Sequence, residues 1–188
     1  MKQLKWLKHL KTINEHKMLV TKYCFRIGLY KQGLLHDVSK YSLSEFLVGA
    51  KYYQGNQSPN NIERKEKGYS SAWLHHKGRN KHHLEYWVDY SLEKDKGLVG
   101  IEMPIRYVAE MFCDRVAASK IYMKEAYTNS SPYEYFMNSK EHYIIHKNTK
   151  VLLETLLLML QEKGEVATFH YIKYELLRDK RYGNELIG

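Results

Sequence analysis

Apolar side chains recur at the helical interval from the start of the chain. Leu19, Val20, Tyr23, Cys24, Ile27 and Tyr30 fall at steps of three and four, which predicts a helix over 12–31 with Gly33 at its C-terminus. His16 lies three before Leu19 and four before Val20, so it points to the buried face. Upstream, Lys2, Lys5, Lys8 and Lys11 alternate with Leu4, Leu7 and Leu10. That basic amphipathic segment forms the first helical turns, as a solvated face or one that lies on an anionic surface. Leu34 and Leu35 are expected to bury the backbone just ahead of His36-Asp37.

Ser42, with Glu45 three residues on, has the form of a capping box for a helix running to about Tyr53. Residues 54–61 read as a loop and 64–67 as a solvated charge run. A helix over 69–76 places Ala72, Trp73 and His76 on one side, and Glu85, Tyr86 and Trp87 form a short helix. Asp95-Lys96-Gly97 marks the turn of a small β-hairpin around 91–103. Pro104 opens a helix whose stripe is Tyr107, Met111, Asp114, Ala118 and Ile121. Beyond a polar break at 128–132, helices are expected over 133–137, 143–162 (ending at Gly164) and 166–177, then a basic, frayed tail to 188. The expectation is an all-α fold in one domain, with the C-terminal helices over 133–178 completing the core.

Composition changes this picture little. A chain of 188 residues is long enough for one real core. Its net charge of +9 favours anionic partners, nucleic acid among them, but no RNA- or DNA-binding motif is present. Cys24 and Cys113, in apolar helical patterns, are expected to be buried free thiols, which implies a cytoplasmic chain. The longest apolar run, Leu156 to Leu160, is too short to span a bilayer. The oligomeric state is not written in the chain.

The chemistry lies in polar groups at apolar positions. His16 sits on a buried face, and His36 and Asp37 stand side by side. His75, His76, His82 and His83 crowd into nine residues, and Asp114 is the one charge in its stripe, with Glu110 close to the same face. A buried carboxylate is costly unless a cation pairs with it. Four helices offering imidazole and carboxylate inward is how helical folds build a metal site.

The order His16, His36-Asp37, a histidine of the 75–83 cluster and Asp114 resembles the HD-domain superfamily of metal-dependent phosphohydrolases. Leu34-Leu35-His36-Asp37-Val38-Ser39-Lys40 is similar to that family's motif, and Lys40 with His82-His83 resembles its HD-GYP branch, although the Gly-Tyr-Pro signature is absent. The run from His76 through Asn80 to His82-His83, followed by Trp87 and by Glu110-Met111 and Asp114, more closely resembles the DUF5662 family of unknown function. The HD resemblance, over about 10–125, implies an HD-like helical bundle in which His16, His36, Asp37 and Asp114 hold one divalent ion. His76, His82 and His83 then hold a second ion or meet the substrate. The metal could be Mn, Fe, Mg, Zn, Ni or Co. Asp37 would orient a water, Lys40 would hold a phosphate oxygen, and Arg79 and Asn80 would be outer or substrate contacts. The implied activity is hydrolysis of a small phosphate ester, with a nucleotide as the leading substrate. A di-iron oxygenase and a non-catalytic basic binding protein are the other readings.

Overall fold

The computed structural model describes residues 2–178, and the expected frayed tail at 179–188 lies outside them. Helix α1 (Lys2–Arg26) buries His9, Ile13, His16, Val20 and Tyr23, a single stripe at steps of four and three that Ile27 continues just past the helix end. Leu4 and Leu7 do not join it, being 59% and 48% exposed. The helix ends earlier than expected, at Arg26, because Gly28 turns the chain at φ 88. Gly33 instead lies inside α2 (Tyr30–Leu35), where a Cβ would sit 2.9 Å from that of Cys24. Its lack of a side chain is what lets α2 lie against α1. Leu34 and Leu35, expected to be buried, are each 59% exposed, because the inner face of this short helix is the glycine.

Helix α3 (Leu43–Tyr52) starts where expected, but without a capping box. The Ser42 hydroxyl pairs with Ser44, and Glu45 turns inward to two histidines. Helix α4 (Pro59–Lys67) forms where a loop and a charge run were expected. Arg64–Lys67 is exposed as expected, while Glu63 is fully buried. Its carboxylate accepts from the hydroxyls of Ser70 and Ser71, both at 2.7 Å, and from Lys67 at 3.1 Å. It therefore ties α4 to the N-terminus of α5 (Ser71–Lys77), the helix that carries His75 and His76.

Burial raises the Glu63 pKa, but those hydrogen bonds outweigh it and bring the group from 4.5 down to about 2. The folded state therefore prefers charged Glu63. That preference is complete above about pH 5 and is lost as pH falls toward the folded value. Glu63→Gln is expected to cost about 3 kcal/mol at pH 7, on the scale of ~1.4 kcal/mol per pKa unit. Urea unfolding of both proteins from pH 7 to 3 should show the difference shrinking as the medium becomes acidic. A pH-independent gap would mean that lost packing, not charge, was responsible.

The hairpin pairs β1 (Val88–Tyr90) with β2 (Leu98–Gly100), antiparallel, with Val88 opposite Gly100. It starts three residues before the expected span, and Gly97 makes the turn at φ 56. Helix α6 (Ile105–Met123) is buried along Val108, Phe112, Cys113, Val116 and Ala117. The expected stripe is a neighbouring face. Of it, Met111, Asp114, Ala118 and Ile121 line a cavity of about 380 Å³. Helix α7 (Ser131–Ser139) follows, then α8 (Lys147–Tyr174), which begins four residues later than expected and bends at Gly164 (φ 75, ψ 175).

The core lies between α1, α6, α7 and α8. Val20 and Ile27 meet Phe112, Phe136, Leu153, Leu157, Leu160 and Phe169 there. Cys24 and Cys113 are buried and free. Helices α3 to α5 stand on the other side of α1 and α2, and the candidate ligands occupy the space between. Among the described residues no helix is long and apolar enough to cross a membrane.

Candidate metal centre

Asp37 is the pivot. The chain leaves α2 through an extended His36 (φ −52, ψ 127) and takes a left-handed step at Asp37 (φ 54, ψ 24) into a 3₁₀ turn over Val38–Tyr41. Outside glycine, Asp is among the few residues that adopt this conformation readily. The step turns two consecutive side chains into the same interior, with His36 and Asp37 each 1% exposed. Lys17, next to His16 on α1, donates to the carbonyls of Leu34 and His36 at 2.8 and 2.7 Å and secures the end of α2.

The two Asp37 oxygens face different partners. Oδ2 lies 3.3 Å from His36 Nε2 and 3.7 Å from His16 Nε2. Asp114 Oδ1 closes that group, 2.9 Å from His16 Nε2 and 3.5 Å from His36 Nε2. Oδ1 of Asp37 lies 3.2 Å from His76 Nε2 and 3.3 Å from His82 Nε2, with His83 beside them. Each set, His16-His36-Asp37-Asp114 and Asp37-His76-His82-His83, offers ligand atoms all within 4.8 Å of one another. All seven residues named from the sequence therefore converge, and Asp37 belongs to both sets.

The Nε2 atoms of His16, His36, His76, His82 and His83 are buried and none makes a hydrogen bond. Several lie near a carboxylate oxygen, yet out of line for bonding. Five orphaned ring nitrogens, four of them within 4 Å of the Asp37 carboxylate, would be expensive in a pure packing core. Their lone pairs are what divalent cations require, so the residues fit a metal centre.

An outer ring of carboxylates fixes the imidazoles. Glu110 Oε1 lies 3.0 Å from His36 Nδ1 and 3.2 Å from His82 Nδ1. Glu45 reaches His76 Nδ1 at 2.8 Å and His75 Nδ1 at 2.6 Å. A carboxylate accepts a hydrogen bond from Nδ1–H, which keeps the proton there and leaves Nε2 unprotonated toward the centre. Gln32 in turn donates to Glu110 at 3.0 Å. Sequence spacing pointed to Glu110, four residues before Asp114, without giving its role. Glu45 was read as a cap, and Gln32 carried no signal.

Electrostatics follow from this crowding. Burial pushes the Asp37 carboxyl up, but His36, Lys40 and His76 outweigh it and hold it well below its usual range. Asp114 is held down against burial by His16 and His36. Glu110 falls to about 2, burial being overcome by His36 and His82. Burial works against the Lys40 charge, yet Asp37 and Asp114 raise the amino group above its ordinary value, and it donates to Asp37 Oδ2.

The two further residues named from the sequence divide. Asn80 supports the centre, its amide donating to Ser39 Oγ at 2.9 Å and to the His76 carbonyl at 2.8 Å. Arg79 is exposed and donates to the carbonyl of His75 at 3.1 Å. The centre opens on the α6-lined cavity through His16, Lys40, His76, His83 and Asp114.

Fold and site together define an all-α protein with a buried histidine–carboxylate cluster able to hold metal. The chain belongs to the Family of unknown function (DUF5662), whose model matches residues 5–159. That span contains every residue of the cluster. No curated protein and no solved structure matches the chain.

Proposed function

We propose that this protein is a two-metal phosphohydrolase of the HD type that acts on a small phosphate ester, a nucleotide being the leading candidate. The observation that carries the reading is Asp37, which divides its two oxygens between two sets of orphaned imidazoles. Bound divalent cations would supply Lewis acidity and an acidified water. The protein's own groups do the rest. His16, His36 and Asp114 hold one side of Asp37; His76, His82 and His83 hold the other. Glu45 and Glu110 keep the rings in the Nε2-free tautomer. Lys40, charged and at the cavity wall, neutralises a phosphate oxygen as a point charge. Asn80 and Ser39 keep His76 in place.

The test is metal analysis of protein purified without a histidine tag, then a panel of phosphate esters assayed with the metal-replete protein. Turnover of a monoester, lost on chelation and restored by Mn²⁺, is the expected result. A fully loaded protein that turns over none of the panel overturns hydrolysis. Oxygen uptake with a visible absorption band in the iron-loaded form would assign the same ligands to oxygenase chemistry. Salt-sensitive binding to nucleic acid that survives loss of His36 and Asp37 would assign a non-catalytic role.

A further inference from the structure

His9 is a buried imidazole that the metal centre does not use. It lies on the same face of α1 as His16, seven residues earlier, which places it about 10 Å along the helix axis. Both residues line the one cavity of about 380 Å³. Only 7% of His9 is exposed, and its Nδ1 is buried with no hydrogen-bond partner. The ring packs between Phe46 and Tyr53, at centroid distances of 5.5 and 5.6 Å, and over Gly49. A Cβ on Gly49 would lie 2.2 Å from His9 Nε2, so α3 makes room for this ring with a glycine.

Beside His9 the cavity offers neutral hydroxyls and amides, with Lys40 the charge that the ring feels. Thr12 Oγ1 and Tyr53 OH form a 2.8 Å hydrogen bond beside His9, and Asn56 and Gln57 line the same cavity. Burial, and then the positive charge of Lys40, lower the His9 pKa to about 4. The ring is thus neutral at physiological pH, with one nitrogen to donate and one to accept. An orphaned buried nitrogen in a cavity wall asks for a partner from the cavity's occupant.

We propose that His9, with the Thr12–Tyr53 hydroxyl pair, forms a head-group subsite that holds an uncharged hydrogen-bonding group about 10 Å along α1 from the His16 end of the cavity. This rests on the phosphohydrolase reading for the other end of the cavity. The substrate class is a phosphomonoester whose leaving group ends in a polar neutral head and spans the cavity from His16 to His9. A nucleoside monophosphate has that form; a polynucleotide or a phosphoprotein does not.

The metal-loaded protein is assayed with the four common nucleoside monophosphates and with p-nitrophenyl phosphate, whose leaving group is too short to reach His9. His9→Phe is expected to raise KM about tenfold for the preferred nucleotide, the value of one lost hydrogen bond. It should leave kcat, metal content and the KM for p-nitrophenyl phosphate unchanged. Thr12→Val, which breaks the hydroxyl pair from a half-buried position, should shift the same KM in the same direction. Equal KM changes for long and short esters, or none for either, overturn the subsite. The free nucleosides provide a readout independent of hydrolysis. Equilibrium dialysis should show one of them binding wild type about tenfold more tightly than His9→Phe. If no ester turns over but a nucleoside binds in a His9-dependent way, the hydrolase reading fails and the subsite stands. If esters turn over and neither KM nor nucleoside binding depends on His9, the subsite fails alone, and its nitrogen is satisfied by water.

Discussion

Asp37→Ala is expected to lose both of the proposed ions at once, whereas Asp114→Ala and His83→Ala should each lose one. The expectation follows from the division of the Asp37 carboxylate, with Oδ2 3.3 Å from His36 Nε2 and Oδ1 3.2 Å from His76 Nε2. Removing it takes one ligand, with its negative charge, from each set. Asp114 faces His16 and His36 alone, and His83 belongs only to the second set. Metal content of untagged protein should fall from two per chain to background in Asp37→Ala and to one in each of the other variants. Affinity losses should exceed the roughly 10–100-fold that removal of an outer-shell partner costs. Alanine also sits poorly in the left-handed backbone at Asp37, so circular dichroism must confirm that the variant is folded. A folded Asp37→Ala that keeps one tightly held ion would show that the carboxylate does not bridge.

Glu110→Gln weakens both ions, and Glu45→Gln only one. Glu110 accepts hydrogen bonds from the Nδ1–H of His36 in the first set and of His82 in the second, while Glu45 supports His76 in the second alone. In Glu110 one oxygen, Oε1, meets both rings, so a glutamine oxygen there is a neutral and weaker acceptor for both, and its amide nitrogen then faces the Gln32 donor. The weakened acceptor loosens the tautomer and the ring angle, and about 10–100-fold of metal affinity goes with it. Competition against a graded chelator should resolve two weakened sites for Glu110→Gln and one for Glu45→Gln. Two normal affinities in Glu110→Gln would reduce that carboxylate to a packing role. In wild type, loading should fall in mild acid. Metal-binding imidazoles must be unprotonated, and burial of His36, His76 and His82 is outweighed by carboxylates that favour their protonated forms.

The seven ligand-type residues read from the chain all reach one place, and the reason is local. His16 sits on the apolar stripe of α1, His36 and Asp37 are adjacent, and an acid among apolar residues on α6 needs a counter-charge. These are statements about helix faces, which a period of 3.6 makes readable. The same reasoning failed at Leu34-Leu35 and at Gly33, because exposure depends on which neighbour covers a face. It also misread Glu45 as a cap, because a side chain one turn into a helix can reach either its own backbone or a residue 30 positions away, as it does at His75.

By itself, then, the amino-acid order determined the all-α class, the hairpin, the buried thiols and the identity of the candidate ligands, since each depends on neighbours within a few turns. Tertiary structure alone decided that Asp37 faces two sets of imidazoles, that Glu110 and Glu45 hold the rings from outside, and that His9 shares a cavity with the centre. Those facts depend on the direction in which a ring nitrogen points and on partners 30 to 78 residues apart, such as Gln32 and Glu110. Periodicity along a helix says which side faces inward, but not what meets it there.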